Sequence, residues 1–121
     1  MVVVRYLVDD VDAAVAFYTE NLGFTLQQQM GPAFAIVSRD GLALWLSGPQ
    51  SSAARAMPDG RRPEPGGWNR VVVEVDDLEA KVEELKQVGL SFRIEVVTGP
   101  GGKQILLEDP AGNVVALFQH A

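Results

Sequence analysis

Two arginines, Arg5 and Arg70, one carboxylate, Glu74, and three large aromatics, Trp45, Trp68 and Phe118, are the residues of this chain best suited to small-molecule chemistry. A guanidinium presents a planar fork of donors that grips an anionic or carbonyl-bearing group in bidentate fashion, and aromatic side chains wall a pocket around it. Glu74 is the candidate general acid or base, although a buried carboxylate beside an arginine has its pKa lowered, which suits a structural anion better than a proton carrier. Pairing of Arg70 with Glu74, or with a carboxylate such as Asp109, is the structural alternative for that arginine. Other chemistries lack their parts. There is no cysteine to serve as a nucleophile, and no Gly-x-Ser-x-Gly elbow. The only histidine, His120, is penultimate and is read as a solvated tail. In Gly99-Pro-Gly-Gly-Lys103-Gln104 the upstream glycine of a phosphate loop is replaced by Val97, and Gln104 stands where Ser or Thr should follow the lysine, so the stretch is read as a hairpin turn.

The elements that must position these side chains follow from an internal repeat. Val8-Asp-Asp-Val-Asp-Ala-Ala-Val15 matches Val75-Asp-Asp-Leu-Glu-Ala-Lys-Val82 position for position, and Gly23-Phe24 falls opposite Gly89-Leu90 after a one-residue slip. Each copy opens on a Val-rich strand (2–8 and 70–75) and ends it with an acidic pair. Asp10 and Asp77 stand at N-cap positions, with Asp12 and Glu79 in the first turn, so capping rather than paired-carboxylate catalysis is expected of these acids. Helical spacing of Val11, Ala14, Val15, Tyr18 and Leu22, and of Leu78, Val82, Leu85 and Val88, predicts one amphipathic helix per unit, closed by Gly23 and by Gly89. Strands are expected at 24–30, 33–38 and 42–47, then at 91–97, 103–108 and 113–119. The stretch 48–67 is rich in Pro, Gly and Ser and is read as an irregular connector, with Trp68 as its packing anchor. Strand alternation puts Val3, Arg5 and Leu7 on one face and Val4, Tyr6 and Val8 toward the helix; Arg70, Val72 and Glu74 separate in the same way from Val71, Val73 and Val75. Ala43, Trp45 and Ser47 share a face, as do Val114, Ala116 and Phe118.

Composition bounds the partners. The chain has 121 residues, 47% hydrophobic and 21% charged, with a net charge of -6. That is one domain's worth of chain, and its charge repels the polyanions of nucleic acid and anionic membrane surfaces, neither of which is expected as a partner. Lack of cysteine suits a cytoplasmic location, no apolar run approaches a membrane span of roughly 20 residues, and Met1-Val-Val-Val-Arg5 does not read as a signal peptide.

The βαβββ repeat, Phe17-Tyr18 and Leu22-Gly23 after the first acidic turn, and Asp109-Pro-Ala-Gly-Asn113 before the last strand together resemble the vicinal oxygen chelate superfamily of glyoxalases, bleomycin-resistance proteins and extradiol dioxygenases. The resemblance covers essentially the whole chain. It implies an α+β fold in which two tandem βαβββ units (about 1–47 and 68–121, joined by 48–67) form a curved eight-stranded cup with helices on the outer face, often within a homodimer. Enzymatic members hold a divalent metal on four His, Glu or other oxygen donors from the first and last strands of each unit. Those positions fall on Val3, Ala43 (or Trp45 in another register), Arg70 and Ala116. None offers a lone pair to a metal, and arginine is a permanent cation, so no metal or other cofactor is expected.

These readings favour a small-molecule binder of the bleomycin-resistance type that sequesters an antibiotic or a metabolite in the cup, with Arg5, Arg70, Trp45, Trp68 and Phe118 as ligand contacts. The alternatives are an atypical lyase, isomerase or dioxygenase relative with unrecognised metal ligands or a metal-free mechanism, and an interaction module with a vestigial cup.

Overall fold

A computed structural model describes residues 1–121. They divide into two units, one of Met1–Gly66 with Asp109–Asn113, the other of Gly67–Glu108 with Val114–Ala121. Each unit repeats the strand, helix and three-strand order read from the sequence. None of the helices is long and apolar enough to cross a membrane.

In the first unit, β1 (Val2–Leu7) leads into α1 (Val11–Asn21), then β2 (Thr25–Met30), β3 (Phe34–Arg39) and β4 (Leu42–Ser47). The sheet order is β1-β4-β3-β2, with β1 parallel to β4 and the other pairs antiparallel. Asp10 caps α1 by accepting the Ala13 amide at 3.1 Å, and Gly23 takes the positive φ of 73° that stops it. The buried stripe of the helix is Val11, Ala14, Phe17 and Tyr18; Phe17, not Val15, turns inward. Tyr6, Leu44, Leu46, Ala35 and Val37 bury the facing side of the sheet, as alternation predicts.

In the second unit, β5 (Arg70–Glu74) precedes α2 (Leu78–Gln87), β6 (Val97–Gly99), β7 (Gly102–Glu108) and β8 (Val114–His120), in the order β5-β8-β7-β6. Asp77 accepts the Ala80 amide at 3.0 Å, and Gln119 Oε1 accepts the amide of Leu78 at 2.8 Å. Val71, Val73, Leu78, Val82, Leu85, Ile105, Leu107, Val115 and Leu117 are buried, whereas Val88, beyond the last helical turn, is exposed. The Gly99–Gln104 stretch is the hairpin turn expected, with Gly99 paired to Gly102. One strand departs from expectation. Residues 91–97 form a single bridge, Phe92 to Leu107, before the chain bends at Arg93 and Ile94 and pairs again only from Val97. The bend accompanies the engagement of Arg93, whose Nε donates to Glu108 and whose Nη1 donates to the Gly67 carbonyl at 2.9 Å. Those bonds hold the Arg93 side chain inward where a regular edge strand would continue.

The turn Asp109–Asn113 joins β7 to β8 in sequence but belongs to the first unit, as does the connector, whose only regular piece is a 3-10 turn at Ser52–Ala54. Asp109 Oδ1 accepts the amides of Ala111 and Asn113, both at 2.9 Å. Its Oδ2 accepts the Tyr18 hydroxyl at 2.8 Å and Asn113 Nδ2 at 3.0 Å. Asn113 Nδ2 also donates to the Leu7 carbonyl at 2.7 Å, and its Oδ1 accepts the Gly66 amide at 2.8 Å. One buried amide thereby joins the end of β1, the end of the connector and the turn. Burial raises the Asp109 pKa against the opposing effect of its donors from Asn113, Tyr18 and Ala111. Tyr18 is pushed far above its ordinary value by burial and then by the neighbouring Asp109 charge, so its hydroxyl stays a donor.

Tyr18→Phe should cost about 1–3 kcal/mol in urea unfolding, the penalty of leaving a buried acceptor short of a donor. The Asp109 proton is held more tightly in the fold than in the unfolded chain, so its stabilising effect is complete below the ordinary value of 3.8 and is lost as pH rises through the raised native value. The unfolding free energy of the wild type minus that of Asp109→Asn should therefore fall as pH rises above 3.8; a rising difference would contradict the burial-driven shift.

Candidate functional site

On the first sheet the face turned away from α1 carries the polar chemistry. Parallel pairing sets Arg5 beside Trp45 and Leu7 beside Ser47, while the β3–β4 register puts Ile36 against Trp45 and Phe34 against Ser47. Arg5 Nη1 donates to Ser47 Oγ at 2.9 Å, and the Ser47 hydroxyl donates to the Trp45 carbonyl at 3.4 Å. Ser47 is fully buried, so it is a fixed acceptor for the guanidinium. The Arg5 guanidinium carbon lies 5.0 Å from the centroid of Trp45 and 6.0 Å from that of Phe34, whose rings meet edge to face at 5.9 Å. No ion pair involves Arg5. The result is an arginine oriented by a hydroxyl and two rings, with its charge not neutralised by a carboxylate.

On the second sheet the corresponding face holds Arg70, Val72 and Glu74 from β5 and Ala116 and Phe118 from β8. Arg70 is exposed at the start of its strand. Glu74 meets His120, with Oε2 and Nε2 2.8 Å apart, and the imidazole stands edge to face with Phe118 at 4.9 Å. His120 is therefore the last residue of β8 rather than a loose tail. Both side chains of that pair are about two-thirds exposed, at 69% and 67%, so water screens their attraction. Asp109, the other partner considered for Arg70, is committed to Tyr18 and its own turn. Trp68 is 69% exposed, with the Arg93 guanidinium 4.6 Å from its ring centroid.

Of the residues singled out from the sequence, Arg5 and Trp45 come together in the first unit, and Arg70, Glu74 and Phe118 share one face of the second. Phe34 and Ser47 complete the first group. Ser47 shares the alternating face of Trp45 in the sequence, but nothing there pairs either of them with Arg5; that requires the parallel β1–β4 register. The same register pairs the positions that the family resemblance assigns to a metal. Val3 pairs with Ala43, Arg70 with Val114 and Val72 with Ala116, so the first-unit counterpart of Ala116 is Trp45 and that of Val114 is Ala43. In either alignment the side chains are apolar, aromatic or guanidinium and do not fit a divalent ion. No cluster of three or more His, Cys, Asp or Glu residues is arranged for a metal.

Comparison with known proteins matches residues 1–117 to the family model of the Glyoxalase/Bleomycin resistance protein/Dioxygenase superfamily. Curated protein sequences yield no match. Among solved structures, TnmS3, an antibiotic-binding protein from Streptomyces sp. CB03234, is 26% identical with a TM-score of 0.73, covering 100% of this chain and 96% of its own. The lactoylglutathione lyase of Agrobacterium tumefaciens is 22% identical with a TM-score of 0.75, covering 98% and 92%. The bleomycin-binding protein of Streptomyces verticillus, solved with copper(II)-bleomycin, is 24% identical with a TM-score of 0.64, covering 98% and 94%. The last two likenesses concern the fold.

Arg93→Ala, placed in a Trp45→Phe background so that Trp68 alone emits, should raise acrylamide quenching of the indole by uncovering one ring face. Unchanged quenching would show that Arg93 does not cover Trp68.

Proposed function

The chain belongs to the Glyoxalase/Bleomycin resistance protein/Dioxygenase superfamily, and from that premise we propose that it is a metal-free small-molecule binder, sequestering an antibiotic or a metabolite as a cytoplasmic homodimer. The observation that carries this reading is Arg5, held by Ser47 against Trp45 and Phe34 with no carboxylate paired to it. A fixed guanidinium beside aromatic walls recognises and orients a ligand. Support comes also from TnmS3, named as antibiotic-binding at 26% identity over the whole chain. Val3, Ala43 or Trp45, Arg70 and Ala116, at the family's metal positions, supply no oxygen or imidazole donor, which is why the reading omits the metal. In the second unit Arg70, Trp68 and Phe118 are proposed as further ligand contacts.

The alternative, an atypical lyase, isomerase or dioxygenase relative, draws on one observation, the Glu74–His120 pair. A hydrogen-bonded carboxylate and imidazole can pass a proton, yet both stand in water rather than in an enclosed site.

Two measurements test the proposal. Metal analysis of tag-free protein by mass spectrometry should find far less than one ion per chain; about one ion per chain retained after dialysis would move the reading to a metalloenzyme. Calorimetric titration with a panel of antibiotics, bleomycin included, should give at least one saturable isotherm that persists in Glu74→Gln; turnover of a bound compound, abolished in Glu74→Gln, would instead establish the enzyme.

A further inference from the structure

Resting on the binding reading above, and deepening it to a ligand class, we propose that the first unit alone carries a site for an aromatic monoanion, with the anionic group on Arg5 and the apolar body in the groove beside the connector. The groove has a volume of about 300 Å³ and its apolar lining is Leu7, Val8, Pro49, Ala54, Pro63 and Pro65. Arg5, Ser47, Trp45 and Phe34 do not line it, and Leu7 is the residue that relates it to their strand face. That residue shares its face of β1 with Arg5, about 7 Å further along the strand, and pairs in register with Ser47, the acceptor of Arg5. Pro49, two residues after Ser47, carries the wall from the sheet onto the connector.

The chemistry selects the ligand. A guanidinium has five N–H donors, of which Arg5 gives one to Ser47. The others are free to take a carboxylate or sulfonate in bidentate fashion, and no protein carboxylate competes for them. Proline and leucine walls, with Trp45 and Phe34 flanking the guanidinium, favour a flat conjugated body, and the volume suits two or three rings. Charge within the groove limits the ligand to one anionic group. Asp9 and Glu64 line it against a single cation, Arg62, so a second anion at the far end would meet net negative charge.

Paired fluorescent probes test the proposal on the intact chain. 8-Anilinonaphthalene-1-sulfonate has an aromatic body with one sulfonate, and N-phenyl-1-naphthylamine has the same body without it. The sulfonated probe should bind saturably at one site per chain and at least tenfold more tightly than the neutral one. Arg5→Ala should remove that preference while leaving the neutral probe within twofold. Ala54→Phe, which narrows the groove at the connector and leaves the arginine intact, should weaken both probes at least fivefold. Unchanged thermal melting in both variants separates these effects from misfolding. Equal affinity for the two probes, or a sulfonate preference that survives Arg5→Ala, would overturn the anion assignment while leaving the small-molecule reading to the antibiotic titration. Full affinity in Ala54→Phe would overturn the groove, and no saturable binding of either probe would overturn the proposal as a whole.

Discussion

The buried carboxylate of Asp109 is the constraint on which the first unit depends. Four donors converge on it, from Tyr18, Ala111, the Asn113 backbone and the Asn113 side chain. A carboxylate that is 4% exposed is tolerated only with its lone pairs occupied, so the turn, the helix residue and the amide must be placed together. Asn113 then fixes the end of β1 through the Leu7 carbonyl and the end of the connector through the Gly66 amide. Leu7 lies two residues from Arg5 on the same face. The network that closes the turn thus also fixes the strand end from which the candidate site is built.

From that anchor the division of labour between sheet faces follows. Side chains of β1 alternate, so burying Tyr6 under α1 obliges Arg5 and Leu7 to point the other way. The parallel register with β4 then puts Trp45 and Ser47 beside them. A serine that is fully buried yet bonded to the arginine is the element that converts an exposed guanidinium into an oriented one. In the second unit the equivalent face carries Glu74, His120 and Phe118, and its carboxylate–imidazole pair is open to solvent. The two copies of the repeat have kept the same backbone plan and diverged in the chemistry they display.

Much of this was legible in the residues themselves. The Val-Asp-Asp repeat located both helix starts because carboxylates cap free amides wherever they occur, and Asp10 and Asp77 do so at 3.1 and 3.0 Å. Period-two alternation sorted Arg5 from Tyr6 and Glu74 from Val73. The Asp-Pro-x-Gly-Asn turn was visible as a family mark, although its partners Tyr18, Leu7 and Gly66 lie far away in sequence and no local rule reaches that distance. The strand expected at 91–97 failed for a related reason. Its alternating Phe92, Ile94 and Val96 satisfy the strand pattern, but the bonds of Arg93 to Glu108 and Gly67 accompany a bend that the pattern does not encode.

Sequence alone therefore determined the order of elements, the helix caps, the inward and outward sets on each strand and the family, since all of these rest on local periodicity and residue type. Tertiary structure decided which outward residues meet. Arg5 with Ser47 and Trp45, Glu74 with His120, and Asp109 with Tyr18 are pairs separated by roughly 40 residues or more, set by strand register and turn docking. Register is a property of two chain segments packed against each other, and a single residue's shift would exchange the buried and exposed faces throughout. For that reason the type of residue available for binding could be read from the chain, but the arrangement that makes Arg5 an oriented cation existed only once β1 had paired with β4.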